Sequence, residues 1–347
     1  MAGKRYLFYI SQNYSYAILR PLQEAILARG DQATWFLEGT EVNADFLASN
    51  ESQLMSIAEV KSYNPVAIFY PGNIAPTFLP GINIAVFHGF DAGKVDKKGN
   101  NDHFKVRNCF DLYCTQGPST SQPFLTLAKQ HNHFKVTETG WCALDRLYLE
   151  PEKISVNRPT ILLCSTFSKK LSCAPHLFET VKKLSQSNKW HWLVQFHPKM
   201  PAEIVQQYKS IQNDNLSFIE TDDVIPLLQK ADVMVCDTSS VLIMFLLLAK
   251  PVVTFKNIDP TDCLLDIDNV DQLEQTIENA LQKPAKLMEN IENFINETHP
   301  YNDGKSSDRV LNAVEEVLSG KLALGKKPID FFRQFKMRKK LKYWKFW

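Results

Sequence analysis

The sequence predicts two doubly wound α/β lobes followed by a basic, aromatic tail. Three observations carry this reading: short apolar runs alternate with helix-like segments, the alternation pauses near residue 150 and restarts, and the last seventeen residues change composition abruptly. Alternating strands and helices imply a mainly parallel sheet covered on both faces, since each crossover helix buries its apolar stripe against the sheet. The expected boundaries are 1–152 for the first lobe, 153–320 for the second and 321–347 for the tail.

In the first lobe Tyr6–Ile10, Ala33–Leu37, Val66–Tyr70, Ile84–Phe87 and Leu112–Thr115 read as strands, and Tyr16–Arg29 as a helix stopped by Gly30. The polar, proline-bearing stretch LYLEPEKISVNRPT reads as the linker between lobes. Strands resume at Thr160–Cys164, Trp192–Phe196, Leu216–Ile219, Val233–Cys236 and Val252–Phe255. Helical patterns over Val270–Phe294 and Asp308–Leu318 then close the second lobe.

A chain of 347 residues with 44% apolar and 22% charged side chains is long enough for two packed cores and is not composed like a disordered protein. Its longest apolar run, Val241–Ala249, stops at Lys250 and Pro251, short of the roughly 18 residues a membrane span needs, and reads as a buried helix. The opening MAGKRYLFYI runs straight into a strand without a signal-peptide pattern, so a cytoplasmic protein is expected. Seven scattered cysteines lack CxxC or zinc-type spacing and read as small buried side chains in a reducing compartment. The net charge is +1, yet residues 331–347 hold seven Lys or Arg and no acid, leaving 32 basic against 38 acidic side chains elsewhere. Anion attraction is therefore confined to the tail, which argues against a nucleic-acid-binding body.

The segment ADVMVCDTSSVLIMFLLLAKPVVTF ends an apolar strand in Asp237, Thr238, Ser239 and Ser240, and a helix follows at once. Free backbone N–H groups and hydroxyls at such a junction suit a phosphate, and strand carboxyl ends are where open α/β sheets bind ligands. Hydroxyl residues at a helix start also serve simply as N-caps. Two other strand ends of the same lobe match: WLVQFHPKMP presents His197, and ILLCSTFSKKL presents Ser165, Thr166 and Lys169. Together these define one expected anion pocket for a nucleotide-diphosphate donor. In the first lobe NIAVFHGFDAGK sets His88 after a strand, with Gly89, Asp91 and Lys94 beside it on the expected acceptor side. Histidine titrates near neutrality and suits a general base, so His88 is the catalytic candidate; the competing reading is a structural turn histidine. The other six histidines have neither such a context nor metal-ligand spacing, and no metal is expected.

The order FHG, Gly140 to Asp145, CST, FHP, DTSS and YNDGKSSDR resembles the CDP-glycerol glycerophosphotransferase family, over about residues 80–318. The resemblance implies a GT-B-like fold, two Rossmann-like lobes with a cleft between them. It also implies metal-independent transfer of a polyol phosphate from a cytidine diphosphate donor, in synthesis of teichoic-acid-type polymers. His88 would be the base, and Thr166, His197, Ser239 and Ser240 the donor contacts, with Asp237 supporting their loop. Two positions depart from the family pattern: Trp141-Cys142-Ala143 lacks its proline and arginine, and Met244 stands where an acid often follows the serine pair. A nucleotide-sugar glycosyltransferase of the same architecture, acting on capsule or lipopolysaccharide, therefore stays open, as does a silent membrane-bound scaffold.

The tail FFRQFKMRKKLKYWKFW interleaves aromatic and basic residues, as at the interface of an anionic membrane. Phe331, Phe332, Lys339, Lys340, Trp344 and Trp347 are the expected contacts. Wound as a helix, the tail does not separate apolar from basic residues into clean faces. A disordered basic tail or a docking strand is the competing reading. A membrane-associated glycan or lipid-linked acceptor would make peripheral attachment at the inner face of the cytoplasmic membrane coherent.

Overall fold

The computed structural model describes residues 3–91, 99, 101–149, 158–221 and 223–344. Along the chain, β1 (Arg5–Ile10), α1 (Ser15–Ala28), β2 (Gln32–Leu37), β3 (Gln53–Leu54), α2 (Ile57–Tyr63), β4 (Ala67–Tyr70), β5 (Ile82–Ala85), β6 (Leu112–Thr115), α3 (Pro118–His131) and β7 (Lys135–Glu138) form the first series. The second comprises β8 (Thr160–Ser165), α4 (Ala174–Ser185), β9 (His191–Phe196), α5 (Ala202–Ser210), β10 (Leu216–Phe218), α6 (Ile225–Lys230), β11 (Val233–Cys236), α7 (Val241–Leu246), β12 (Val252–Phe255), β13 (Leu264–Ile267), α8 (Leu273–Leu281) and α9 (Ala285–Thr298). Helices α10 (Ser306–Leu318) and α11 (Phe331–Lys340) follow.

The chain divides into two compact units, Met1–Arg146 with Glu297–Trp347, and Leu147–Asn296. In the first, the parallel strands lie in the order β3-β2-β1-β4-β5-β6-β7; in the second, the order is β10-β9-β8-β11-β12-β13, again parallel. Both are doubly wound, Rossmann-like sheets in which the strand order reverses beside the first strand. The reversal falls between β1 and β4 in one unit and between β8 and β11 in the other.

The first unit packs a core on each face of its sheet. One gathers Phe8, Trp35, Leu19 and Ile26 with Val310, Leu311 and Val314 of α10; the other gathers Tyr70, Phe110, Tyr113 and Phe124, with Leu341 and Tyr343 of the C-terminal segment laid against it. This corrects the expected boundary at residue 320. The apolar stripe of α10 is buried on α1 in the first unit, so residues 297–320 group with that unit and not with the second. The expected linker lies mostly in 150–157, outside the described residues.

Two further expectations shift. Ile84–Phe87 begins and ends two residues earlier as a strand, because Phe87 turns to φ 60° and leaves the ladder. The single helix expected over Val270–Phe294 is two, α8 and α9, separated at Lys283, whose φ of 50° precedes Pro284. Of the apolar run from Val241, only Phe245, Leu246 and Leu247 are fully buried; Val241–Met244 are half-exposed. Among the described residues no helix is long and apolar enough to cross a membrane.

Candidate active site

In the second unit the site is built at the sheet's switch point. β9, β8 and β11 are adjacent, so the residues just past their carboxyl ends, His197, Ser165–Thr166 and Asp237–Ser240, come together as the sequence predicts. What holds them is Asp237, which is fully buried. Its carboxylate accepts the Ser165 hydroxyl at 2.6 Å, the Thr166 N–H at 3.0 Å and the Cys173 N–H at 3.0 Å. One side chain thus closes both ends of the loop 166–172. Because the Ser165 proton goes to Asp237, its oxygen is left to accept from the Ser172 hydroxyl at 2.8 Å and from the Ala174 N–H at 3.3 Å. Carboxylates that accept several N–H and O–H donors are compatible with burial, whereas an unpaired one is not.

This corrects one assignment. Ser165, placed in the expected anion pocket, is buried against the fully buried Asp237, and the two position the loop that carries Thr166 and Lys169. Thr166 stays half-exposed and Lys169 exposed. Thr238 is half-buried, and its hydroxyl accepts the Ile258 N–H at 3.1 Å, so part of its role is to hold the loop after β12. Ser240 precedes the short α7 without a side-chain cap hydrogen bond, so N-capping does not account for its hydroxyl; Ser239 is half-exposed beside it.

His197 is exposed, and its Nδ1 accepts the Lys199 N–H at 3.0 Å. Partial desolvation and the Lys199 charge lower its pKa below the usual imidazole range. A neutral ring that accepts through Nδ1 carries its proton on Nε2, so His197 presents an N–H donor. Phe167 lies over this ring at 4.6 Å between centroids, with the Lys199 ammonium 5.7 Å from the Phe167 centroid. Two cavities of about 390 Å³ flank the strand end: one is lined by His197, Phe218 and Thr221, the other by Phe167, Lys169 and Ser172. Sequence reading passed over Phe167 and Lys199. The HPK triplet held a usable signal for the second, since the N–H two residues after a histidine is within reach of Nδ1.

In the first unit His88 follows β5, and the left-handed turn at Phe87 brings it out to solvent while the Phe87 ring stays buried against Tyr113 and Phe124. Such a φ is costly for a bulky residue and persists only where its surroundings impose it. Here the Trp141 indole N–H reaches the Phe87 carbonyl at 3.4 Å, and the buried Gln116 amide donates to the Gly89 carbonyl at 2.8 Å. Nδ1 of His88 lies 3.1 Å from the Pro71 carbonyl, which can only accept. Nδ1 therefore carries a proton, and in the neutral ring Nε2 keeps a lone pair. Asp91, on the expected acceptor side, is exposed and accepts from Asn101 at 2.7 Å; Lys94 lies outside the described residues.

The Gly140–Asp145 segment is structural. Asp145 accepts the N–H groups of Ser306 and Ser307 at 2.7 and 2.8 Å, capping α10. Gly140 has φ 77°, and a Cβ there would lie 2.5 Å from the Ser306 hydroxyl. Buried His299 accepts the Trp141 N–H through Nε2 at 2.9 Å, and burial pushes its pKa down to about 4.

Residues 168–259 match the family model described as CDP-glycerol:poly(glycerophosphate) glycerophosphotransferase, the segment that runs from the loop after β8 through β9, β11 and α7 to the loop after β12. The resemblance read from the sequence is thereby borne out. No match was found among the curated proteins. In fold the chain is similar to a putative UDP-N-acetylglucosamine 2-epimerase from Listeria monocytogenes, with TM-score 0.63, 14% identity and coverage of 95% of this chain and 100% of that one. It is also similar to the wall teichoic acid polymerase TagF, with TM-score 0.62, 13% identity and coverage of 92% and 90%. A glycosyltransferase from Rickettsia africae aligns with TM-score 0.54, 14% identity and coverage of 92% and 99%. These likenesses establish the fold as GT-B-like. Fold and the match over residues 168–259 together make the chain similar to transferases of the glycerophosphotransferase type.

Proposed function

We propose that this protein transfers a polyol phosphate, glycerol phosphate or a close analogue, from a CDP-activated donor to a hydroxyl of a membrane-associated glycan or lipid-linked acceptor in cell-surface polymer synthesis. The observation that carries the reading is the convergence of Thr166, Lys169, His197 and Ser239–Ser240 at the switch point of the second unit, all but Thr166 within the segment that matches the family model. The TagF neighbour, solved with CDPG, supports the same donor class. His88 accepts the acceptor's hydroxyl proton on Nε2. The acceptor oxygen bonds to the phosphorus that bears the polyol, and the bond from that phosphorus to the CMP phosphate oxygen breaks. CMP leaves with the electron pair. Lys169, the His197 N–H and the hydroxyls of Ser239 and Ser240 neutralise the charge that develops on it, a role for which the reading invokes no metal or other cofactor.

The acceptor places the work at the inner face of the cytoplasmic membrane, and the basic C-terminal segment supports attachment there. Calorimetry with CDP-polyols, UDP-sugars and GDP-sugars tests the donor class. Selective binding of cytidine donors is expected; preference for a uridine or guanosine sugar would replace this reading with glycosyl transfer, and no binding at all would leave a scaffold.

A further inference from the structure

The C-terminal segment is not a free tail. Lys327 pairs with the buried Asp111 at 2.6 Å, the Arg333 guanidinium reaches the Arg107 carbonyl, and Lys340 pairs with the buried Glu38. Arg338 lies over the Phe78 ring at 4.3 Å, and Tyr343 stacks on that ring at 5.9 Å. Met337 is buried, and Leu341 and Tyr343 pack on the core beneath. These contacts fix one side of α11 to the first unit. On the opposite side Phe331, Phe332 and Phe335 are 76%, 85% and 58% exposed, and Trp344, 46% exposed, meets the Phe335 ring at 5.3 Å. Exposed Lys336 and Lys339 share that side, and exposed Lys342 follows the helix.

The separation is thus not apolar from basic, which is why the sequence shows no clean faces; it is docked from free. The cations divide accordingly. Arg333, Arg338 and Lys340 are engaged by the body, which corrects the expectation that Lys340 belongs with the membrane contacts; Trp347 lies outside the described residues. Four bulky apolar side chains held in water beside three lysines, with no acid after Asp330, form a surface complementary to one that is apolar within and anionic at its rim.

We propose that α11 is a preformed membrane-docking platform, folded on the body before any lipid is met. Phe331, Phe332, Phe335 and Trp344 enter the interface of an anionic bilayer, and Lys336, Lys339 and Lys342 meet lipid phosphates. This deepens the reading of a membrane-bound acceptor and rests on it only for its purpose, because binding is measured without donor or turnover. Co-sedimentation of the full chain with phosphatidylcholine vesicles, with and without phosphatidylglycerol, tests it. Phe332→Ser with Phe335→Ser is expected to weaken binding to the anionic vesicles about tenfold or more, and Lys336→Gln with Lys339→Gln to remove most of the preference for them. Phe78→Ala, which changes no residue of the segment but removes the ring under Arg338 and Tyr343, is expected to weaken binding at unchanged melting temperature. Unaltered binding by the phenylalanine pair overturns the proposal. Unaltered binding by Phe78→Ala overturns its preformed character. A phenylalanine pair that changes oligomeric state while leaving vesicle binding intact assigns the face to a second copy of the chain and overturns it equally.

Discussion

His88 and Pro71 are joined by a hydrogen bond of 3.1 Å, from the imidazole Nδ1–H to the backbone carbonyl. Because a carbonyl only accepts, the bond selects the tautomer whose Nε2 lone pair is unused. His197 has the reverse arrangement, with Nδ1 accepting the Lys199 N–H at 3.0 Å and Nε2 left as the donor. Main-chain groups thus fix the two neutral rings in opposite tautomers, His88 with an Nε2 lone pair and His197 with an Nε2–H donor.

His88→Ala is expected to lower kcat by about 10²- to 10⁴-fold, the usual worth of a positioned general base, with donor affinity unchanged. Turnover with a donor and acceptor pair, alongside calorimetry of donor binding, checks this. Full turnover would return His88 to the status of a turn residue.

His197→Ala removes one hydrogen-bond donor from the anion site. A charge-assisted bond of this kind corresponds to a roughly tenfold or larger loss of donor affinity. Titration of the variant with CDP-polyol measures it, and wild-type affinity would exclude the ring from the donor site.

Asp237→Asn keeps the side chain's volume but turns an amide N–H toward groups that are themselves donors, the Thr166 and Cys173 amides and the Ser165 hydroxyl. Loss of about 2–3 kcal/mol in urea unfolding is expected, with weakened donor binding following from the loosened loop. Normal stability with lost binding would mean that the carboxylate acts on the donor directly.

His299 gives the fold an acid limit. Its imidazole titrates near 4 when folded, against a reference of 6.5, so the unfolded chain binds the proton first as pH falls. Its contribution is therefore fully present above about pH 6.5 and is lost as the pH drops toward 4, amounting to about 2 kcal/mol between pH 7 and 5. His299→Gln, which retains an acceptor for the Trp141 N–H, is expected to flatten that part of the curve. Denaturation midpoints at the two pH values decide it.

Most of the architecture was legible because parallel strands buried on both faces leave continuous apolar runs: Leu112–Thr115, Val233–Cys236 and Val252–Phe255 have identical bounds in sequence and structure. Strands β3 and β13 escaped notice, being short or only half-buried edge strands whose composition is ordinary. The three donor strand ends were legible for the same reason as the strands. Which hydroxyls face solvent was not, since Ser165 and Thr166 differ only in which one Asp237 draws inward. Nor was the seating of α10 and α11 on the first unit, which depends on Asp145, Asp111 and Glu38, more than 150 residues away in the chain.

The central claim is tested most directly by mass analysis of the products formed from CDP-glycerol and a lipid-linked acceptor. Growth of the acceptor by one glycerol phosphate for each CMP released is the predicted result. An acceptor that gains a hexose from a UDP- or GDP-sugar instead, with CDP-glycerol left intact, would contradict it.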